Sequence, residues 1–129
     1  MPDLLALSAR WLEDQRHQHC TTAVRYRRGA AVINVNATFG RTVFRDESAY
    51  GIVTHHVSRD FLIRVDDLVL GGLRVEPEAG DEVLEPGETL TRVHEVMSPT
   101  RDDPAWRYSD SARVTYRIHT KHTGQEPTP

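Results

Sequence analysis

The chain has 129 residues, the size of one domain able to bury one hydrophobic core, and its 38% apolar and 27% charged content is that of a globular protein rather than a disordered one. One cysteine, Cys20, excludes an intrachain disulfide framework. No apolar run approaches the ~20 residues needed to span a bilayer, and the net charge of −3 is too small and too negative for the strongly basic footprint of most nucleic-acid binders.

Residues 2–17 are expected to form a helix, about 24 Å long. Pro2 suits a first helical position and Asp3 the positive end of the helix dipole. Leu4, Leu7, Trp11 and Leu12 recur at helical spacing, with Arg10, Glu13, Asp14 and Arg16 on the other side. Such a stripe serves a helix that lies on a sheet or on another subunit. No signal peptide is expected at Met1 to Ala6, which lacks a basic region and a cleavage site, so folding in a reducing cytoplasm follows.

From Cys20 the period changes to two. Thr22, Val24 and Tyr26 alternate with Ala23, Arg25 and Arg27, and Arg28-Gly29 predicts a turn into a strand carrying Val32, Ile33 and Val35. Gly40 is expected to interrupt the next segment, with Phe39, Val43 and Phe44 as apolar contacts. Tyr50, Ile52 and Thr54 alternate in one strand, and Phe61, Ile63 and Val65 in another. Gly71-Gly72, Pro77, Gly80-Asp81 and Pro86-Gly87 are turn signals separating short strands at Leu73–Val75 and Glu82–Glu85. Thr89 to Met97 predicts a longer strand, Ser98 to Pro104 a polar loop, and Val114, Tyr116 and Ile118 a last strand.

The prediction is a mainly β fold, a small β-barrel or sandwich of about seven to nine short strands with one N-terminal α-helix. Residues 1–129 make a single domain: the helix, a β-rich body over 20–121, and a polar tail over 123–129 that is expected to fray.

Candidate chemistry is sparse. His17, His19 and Cys20 form a compact group of nitrogen and sulfur donors, but neither C-x-x-C nor H-E-x-x-H occurs, and neighbouring His55 and His56 would face opposite sides of a strand. A metal-dependent hydrolase using histidines and carboxylates is therefore an alternative rather than the reading. No G-x-S-x-G elbow singles out a nucleophile. Glu76, Glu78, Asp81 and Glu82 look like solvated loop acids. Arg25, Arg27 and Arg28 around Tyr26 could touch phosphates, which keeps a nucleic-acid-binding accessory protein as a second alternative, but an edge strand protected by charge explains them as well. Trp106-Arg107 is the aromatic-plus-arginine pairing of protein anchors. Inter-subunit contacts are therefore assigned to Trp11, Trp106 and Arg107, with no catalytic, cofactor or metal residues.

Charge is spread unevenly. Arg10 to Arg45 holds seven arginines against Glu13 and Asp14, whereas Asp66 to Asp103 holds eleven acids against Arg74, Arg92 and Arg101. Either these are solvated faces, or the subunit is electrically polar and stacks on copies or neighbours of opposite sign.

Several segments resemble those of phage and prophage head–tail connector proteins of the head-completion or stopper type. They are Tyr50-Gly51-Ile52-Val53, Ser58-Arg59-Asp60-Phe61-Leu62-Ile63, Asp67-Leu68-Val69-Leu70, Pro77-Glu78-Ala79-Gly80-Asp81, Trp106-Arg107-Tyr108-Ser109-Asp110 and Arg117-Ile118-His119-Thr120-Lys121, in the same order from about Val24 to Lys121. One departure is His94, where the pattern has a tyrosine before Glu95-Val96.

The resemblance implies a small barrel with helical decoration. It assembles as a homo-oligomeric ring below the portal, joins head to tail and helps retain DNA until ejection. It implies a virion protein made in the bacterial host cytoplasm, with portal- or adaptor-side and tail-side partners. DNA would pass without sequence-specific binding, and no cofactor, catalysis or membrane is involved. An isolated monomer is compatible with it. Ring contacts would be heterologous, and an acidic lumen would let DNA slide.

Overall fold

The computed structural model describes residues 5–12 and 21–128. Residues 5–12 are helical, and the rest of the predicted helix, with His17, His19 and Cys20, lies outside the described residues. The body holds nine strands among the described residues: β1 (Thr22–Arg28), β2 (Ala31–Glu47), β3 (Val53–Arg64), β4 (Val69–Leu70), β5 (Leu73–Arg74), β6 (Glu82–Pro86), β7 (Leu90–Val96), β8 (Trp106–Tyr108) and β9 (Thr115–Pro127), with a short 3-10 turn at Val65–Asp67.

The antiparallel pairings run β3-β2-β1-β6-β7-β9 and return from β9 to β3, so six strands close a circuit, with β8 added on β9. Closure removes the exposed edges that an open sheet would carry. The fold is mainly β, as the alternation implied. Side chains of one parity line the core: Val24 and Tyr26 of β1, Val35 and Ala37 of β2, Phe61 and Ile63 of β3, Val83, Val96, Tyr116 and Ile118. Leu68 and Leu70 join this core from beyond the end of β3.

The turn residues act where predicted. Gly29 takes φ 59° in the two-residue link between Arg28 and Ala31, and Gly71 and Gly72 do the same between β4 and β5.

Four expectations change. Gly40 does not interrupt a strand, since β2 runs through it. A Cβ there would lie 3.1 Å from the Arg117 guanidinium, so the glycine marks a close approach of another side chain. Tyr50 to Ile52 form a turn instead of a strand, tied by Ser48 N–H to Ile52 O (2.8 Å), with Gly51 at φ 76°. The basic segment Arg25 to Arg28 lies in an interior strand, paired with β2 on one side and β6 on the other, and is no edge. Residues 123–127, expected to fray, extend β9 alongside β7 as far as Pro127 opposite Leu90. This tail is fastened by Arg27, which donates to Glu126 at 2.9 Å, and by Thr128 N–H to Thr89 O at 3.1 Å.

The long β2–β3 hairpin outgrows the circuit. β1 accompanies β2 only to Ala37, and β9 accompanies β3 only down to Arg59. Residues 41–58 therefore project as a two-stranded arm, about 20 Å long, with no further strand on either edge among the described residues.

If the tail is a strand, its amides should resist hydrogen exchange. Residues 124–127 are expected to exchange with the protection of neighbouring β7, and Arg27→Ala should speed them selectively. Exchange at unstructured rates in the unaltered chain would refute the extended β9.

Candidate functional site

Where the arm leaves the barrel, one carboxylate ties three strands together. Asp60 of β3 is fully buried on the face opposite the core, as are Ser58 and His119. Ser58 Oγ donates to Asp60 Oδ1 at 2.5 Å and His119 Nδ1 to the same oxygen at 2.9 Å, while Arg117 Nε reaches Oδ2 at 2.7 Å and Thr42 of β2 donates there too. Arg117 also donates to the Arg41 carbonyl at 3.1 Å, crossing over Gly40. Burial alone would push the Asp60 carboxyl up, but the hydrogen bonds from His119, Ser58, Thr42 and Arg117 outweigh it and hold the group well below the usual carboxylate range.

Serine, histidine and aspartate in one cluster invite comparison with a nucleophilic triad. Such a triad needs the serine on one ring nitrogen and the acid on the other. Here Ser58 and Asp60 both meet Nδ1, at 3.3 and 2.9 Å, and the serine donates to the carboxylate itself. The arrangement satisfies buried polar groups and orients strands.

A second network closes the core at the same end. Arg59 Nη2 reaches Glu85 across the barrel at 3.2 Å, with its guanidinium 4.5 Å over the Phe39 ring, and His94 Nε2 meets the same Glu85 oxygen at 3.2 Å. The His94 ring sits between Phe61 and His122. His94 thus fills an aromatic core position, which accounts for an imidazole where the resembling pattern has a tyrosine ring. Burial pushes its pKa down, Glu85 opposes this, and His122 and Arg59 add to the decrease.

The third network corrects the reading of the loop acids. Asp81 is buried, not solvated. Arg28 holds it through Nε (2.9 Å) and Nη2 (2.8 Å), Tyr26 donates its hydroxyl, and the Glu78 amide adds a bond at 3.0 Å. Glu82 pairs with Arg27 at 2.9 Å. Part of the charge asymmetry along the sequence is thus neutralised inside the fold, and Arg27 and Arg28 are committed to carboxylates rather than offered to phosphates.

Large apolar side chains are also left outward. On the arm, Val43, Val57, Val53 and Phe39 share one face and are exposed, with Tyr50 and Ile52 at the tip. On the helix, Leu5, Leu7, Trp11 and Leu12 are exposed, and Arg10 lies 3.8 Å from Asp66 beyond the opposite end of β3. The three residues assigned from sequence do not converge. Trp11 is 61% exposed on the helix, Arg107 is exposed on β8, and Trp106 is half-buried, edge-on to Tyr116 at 4.9 Å and to Tyr108 at 5.2 Å. Trp106 is therefore part of the packing beneath any contact that Arg107 makes.

Among the described residues, no group of three or more His, Cys, Asp or Glu side chains is placed to hold a metal, and no helix is long and apolar enough to cross a membrane. Sequence reading missed the Asp60 network. Its only signal was Ser58-x-Asp60 and Arg117-x-His119 at alternate positions in two strands, a spacing that says nothing of their pairing.

Compared with known proteins, residues 2–127 match the family model described as phage head-tail joining protein. No curated protein matches the chain.

Replacing the tie tests its role. Asp60→Asn is expected to lower the unfolding free energy at pH 7 by about 3 kcal/mol, the low end for a broken buried pair because Arg117 retains some solvent contact. With the folded pKa depressed, the stabilisation is present above about pH 4 and is lost as the pH falls below that value. In urea titrations the gap between the unaltered chain and the variant should therefore shrink from pH 7 to pH 3. An equal gap at both values would remove the charge from the explanation.

Proposed function

Since the chain belongs to the phage head-tail joining protein family, we propose that it acts as a ring-forming subunit below the portal that helps retain DNA until ejection. Membership makes it a structural protein of the virion that meets other virion proteins at the junction of head and tail. The ring, the passage of DNA and its retention are our reading. Copies stand side by side in a closed, heterologous ring, with portal- or adaptor-side partners on one face and tail-side partners on the other. DNA passes without sequence-specific contacts, the chain performs no catalysis and needs no cofactor, and it is made in the host cytoplasm and is a monomer before assembly begins.

One observation carries this reading: the buried acids Asp60 and Asp81 are matched inside the barrel, while large apolar side chains are displayed on an arm at one end and a helix near the other. Large exposed apolar patches mark surfaces that another protein covers. Trp11, Trp106 and Arg107 are the proposed contact residues, Trp106 as the support from which Arg107 projects.

Deleting the coding sequence from its phage or prophage tests the reading by electron microscopy of the lysate. Separate heads and tails are expected, joined again when the gene is supplied in trans. Joined, infectious particles without the protein would overturn it.

A further inference from the structure

His94 stands where the resembling pattern has a tyrosine, and an imidazole takes up a proton near neutral pH where a phenol does not. The ring is buried between Phe61 and His122. The charged and titratable groups that act on it are Glu85 from β6, His122 from β9 and Arg59 from β3. Since a carboxylate accepts, His94 Nε2–H donates to Glu85 Oε1 at 3.2 Å. The neutral ring therefore carries its proton on Nε2, and Nδ1 is a bare acceptor, buried with no partner among the described residues.

An added proton would make Nδ1 a second donor where acceptors are already short. Glu85 is shared with Arg59, whose Nη2 lies 3.2 and 3.3 Å from its two oxygens. Arg59 Nε is itself buried with no acceptor among the described residues. Burial, helped by His122 and Arg59, opposes the charged ring more than Glu85 favours it.

The strand end beside this ring is weakly fastened. The β7–β9 ladder shifts register between Val93 and His94, which leaves Thr123 with no residue opposite. β9 pairs with β3 only as far as Thr120, so residues 121–127 have β7 as their sole strand neighbour among the described residues. His122, whose ring lies against His94, belongs to this singly held segment. The side-chain tie of Glu126 to Arg27 is constant near neutral pH, since Arg27 holds that carboxyl below its usual range.

We propose that His94 is an acid-sensitive latch: as the pH falls from about 7.5 to about 5.5, proton uptake at Nδ1 frees residues 122–127 of β9 from β7 while the remaining strands stay paired. Release hydrates the ring and uncovers the β7 edge near the root of the arm. The closed segment favours the neutral ring, and the open one takes its proton near the ordinary value of about 6.5. Stabilisation of the closed form is therefore full above that value and is lost as the pH falls through it.

The test is amide hydrogen exchange of the full chain at about pH 7.5 and about pH 5.5, each rate divided by its intrinsic value. Opening of residues 124–127 should rise several-fold and at most about tenfold, the limit set by proton uptake on one exposed histidine over about two pH units. The amides of Phe61 and Ile63 should not follow. His94→Tyr keeps a ring and His94→Gln keeps a donor, and neither titrates in this window, so in both the opening should be equal at the two pH values. One folded variant is enough to decide. If neither folds, the imidazole signal of His94 decides by NMR, since its titration must track the opening. Equal opening at both pH values in the unaltered chain, a pH dependence that survives in a variant, or a rise shared by the whole barrel would each overturn the latch.

Discussion

The Asp60 carboxylate accepts hydrogen bonds from β2, β3 and β9, through Thr42, Ser58, His119 and Arg117, at the point where the circuit of strands closes. Closing a barrel brings together strands far apart in sequence, here β3 and β9, with Asp60 opposite His119. The apolar core under Phe61 and Ile118 supplies most of the attraction but is tolerant of small shifts. Hydrogen bonds to a buried ion are directional, and leaving such an ion unpaired is expensive. A one-residue slip would move Asp60 to the opposite face from its donors. The network thus specifies register, and register in turn aims the arm that begins beside it.

The same physics governs the other buried acids. Asp81 is held by Arg28 and Tyr26, and Glu85 by Arg59 and His94. Each carboxylate has a cation or a ring donor from a strand distant in sequence, so the basic first third of the chain and the acidic middle meet across the barrel. The linear imbalance of charge therefore overstates the polarity of the folded surface. Other charges stay outside, among them Arg41, Arg45 and Glu47 on the arm and Glu88, Arg92 and Arg107 elsewhere.

Legibility in the sequence followed the solvent contrast of each side chain. Val24 and Tyr26, separated by Arg25, and Tyr116 and Ile118, separated by Arg117, announced their strands and core positions. Glycine at a two-residue link, as at Gly29, announced its turn. Where polar residues are buried on the second face of a strand, alternation misleads, since Ser58 and Asp60 look outward-facing and are not. Gly40 misled for a related reason, because the side chain that needs its space belongs to Arg117, in a strand much later in the chain. The tail misled through composition: Thr123 to Pro127 is polar enough to fray, but the ion pair of Glu126 with Arg27 and the ladder to β7 were invisible one residue at a time.

The arm and the barrel answer different demands. Within the circuit every strand has two neighbours, and the buried acids Asp60 and Asp81 are matched by donors from other strands. Beyond Arg59 the ribbon has one ladder and an apolar face in water, and neither feature stabilises it there. Its root is nonetheless rigid, since Arg117 bonds to the Arg41 carbonyl while bound to Asp60. A rigid root with an uncovered tip lowers the ordering cost of a contact, because the direction of approach is set before the partner arrives. The barrel's core is thus complete in one copy, while the apolar face of the arm stays uncovered.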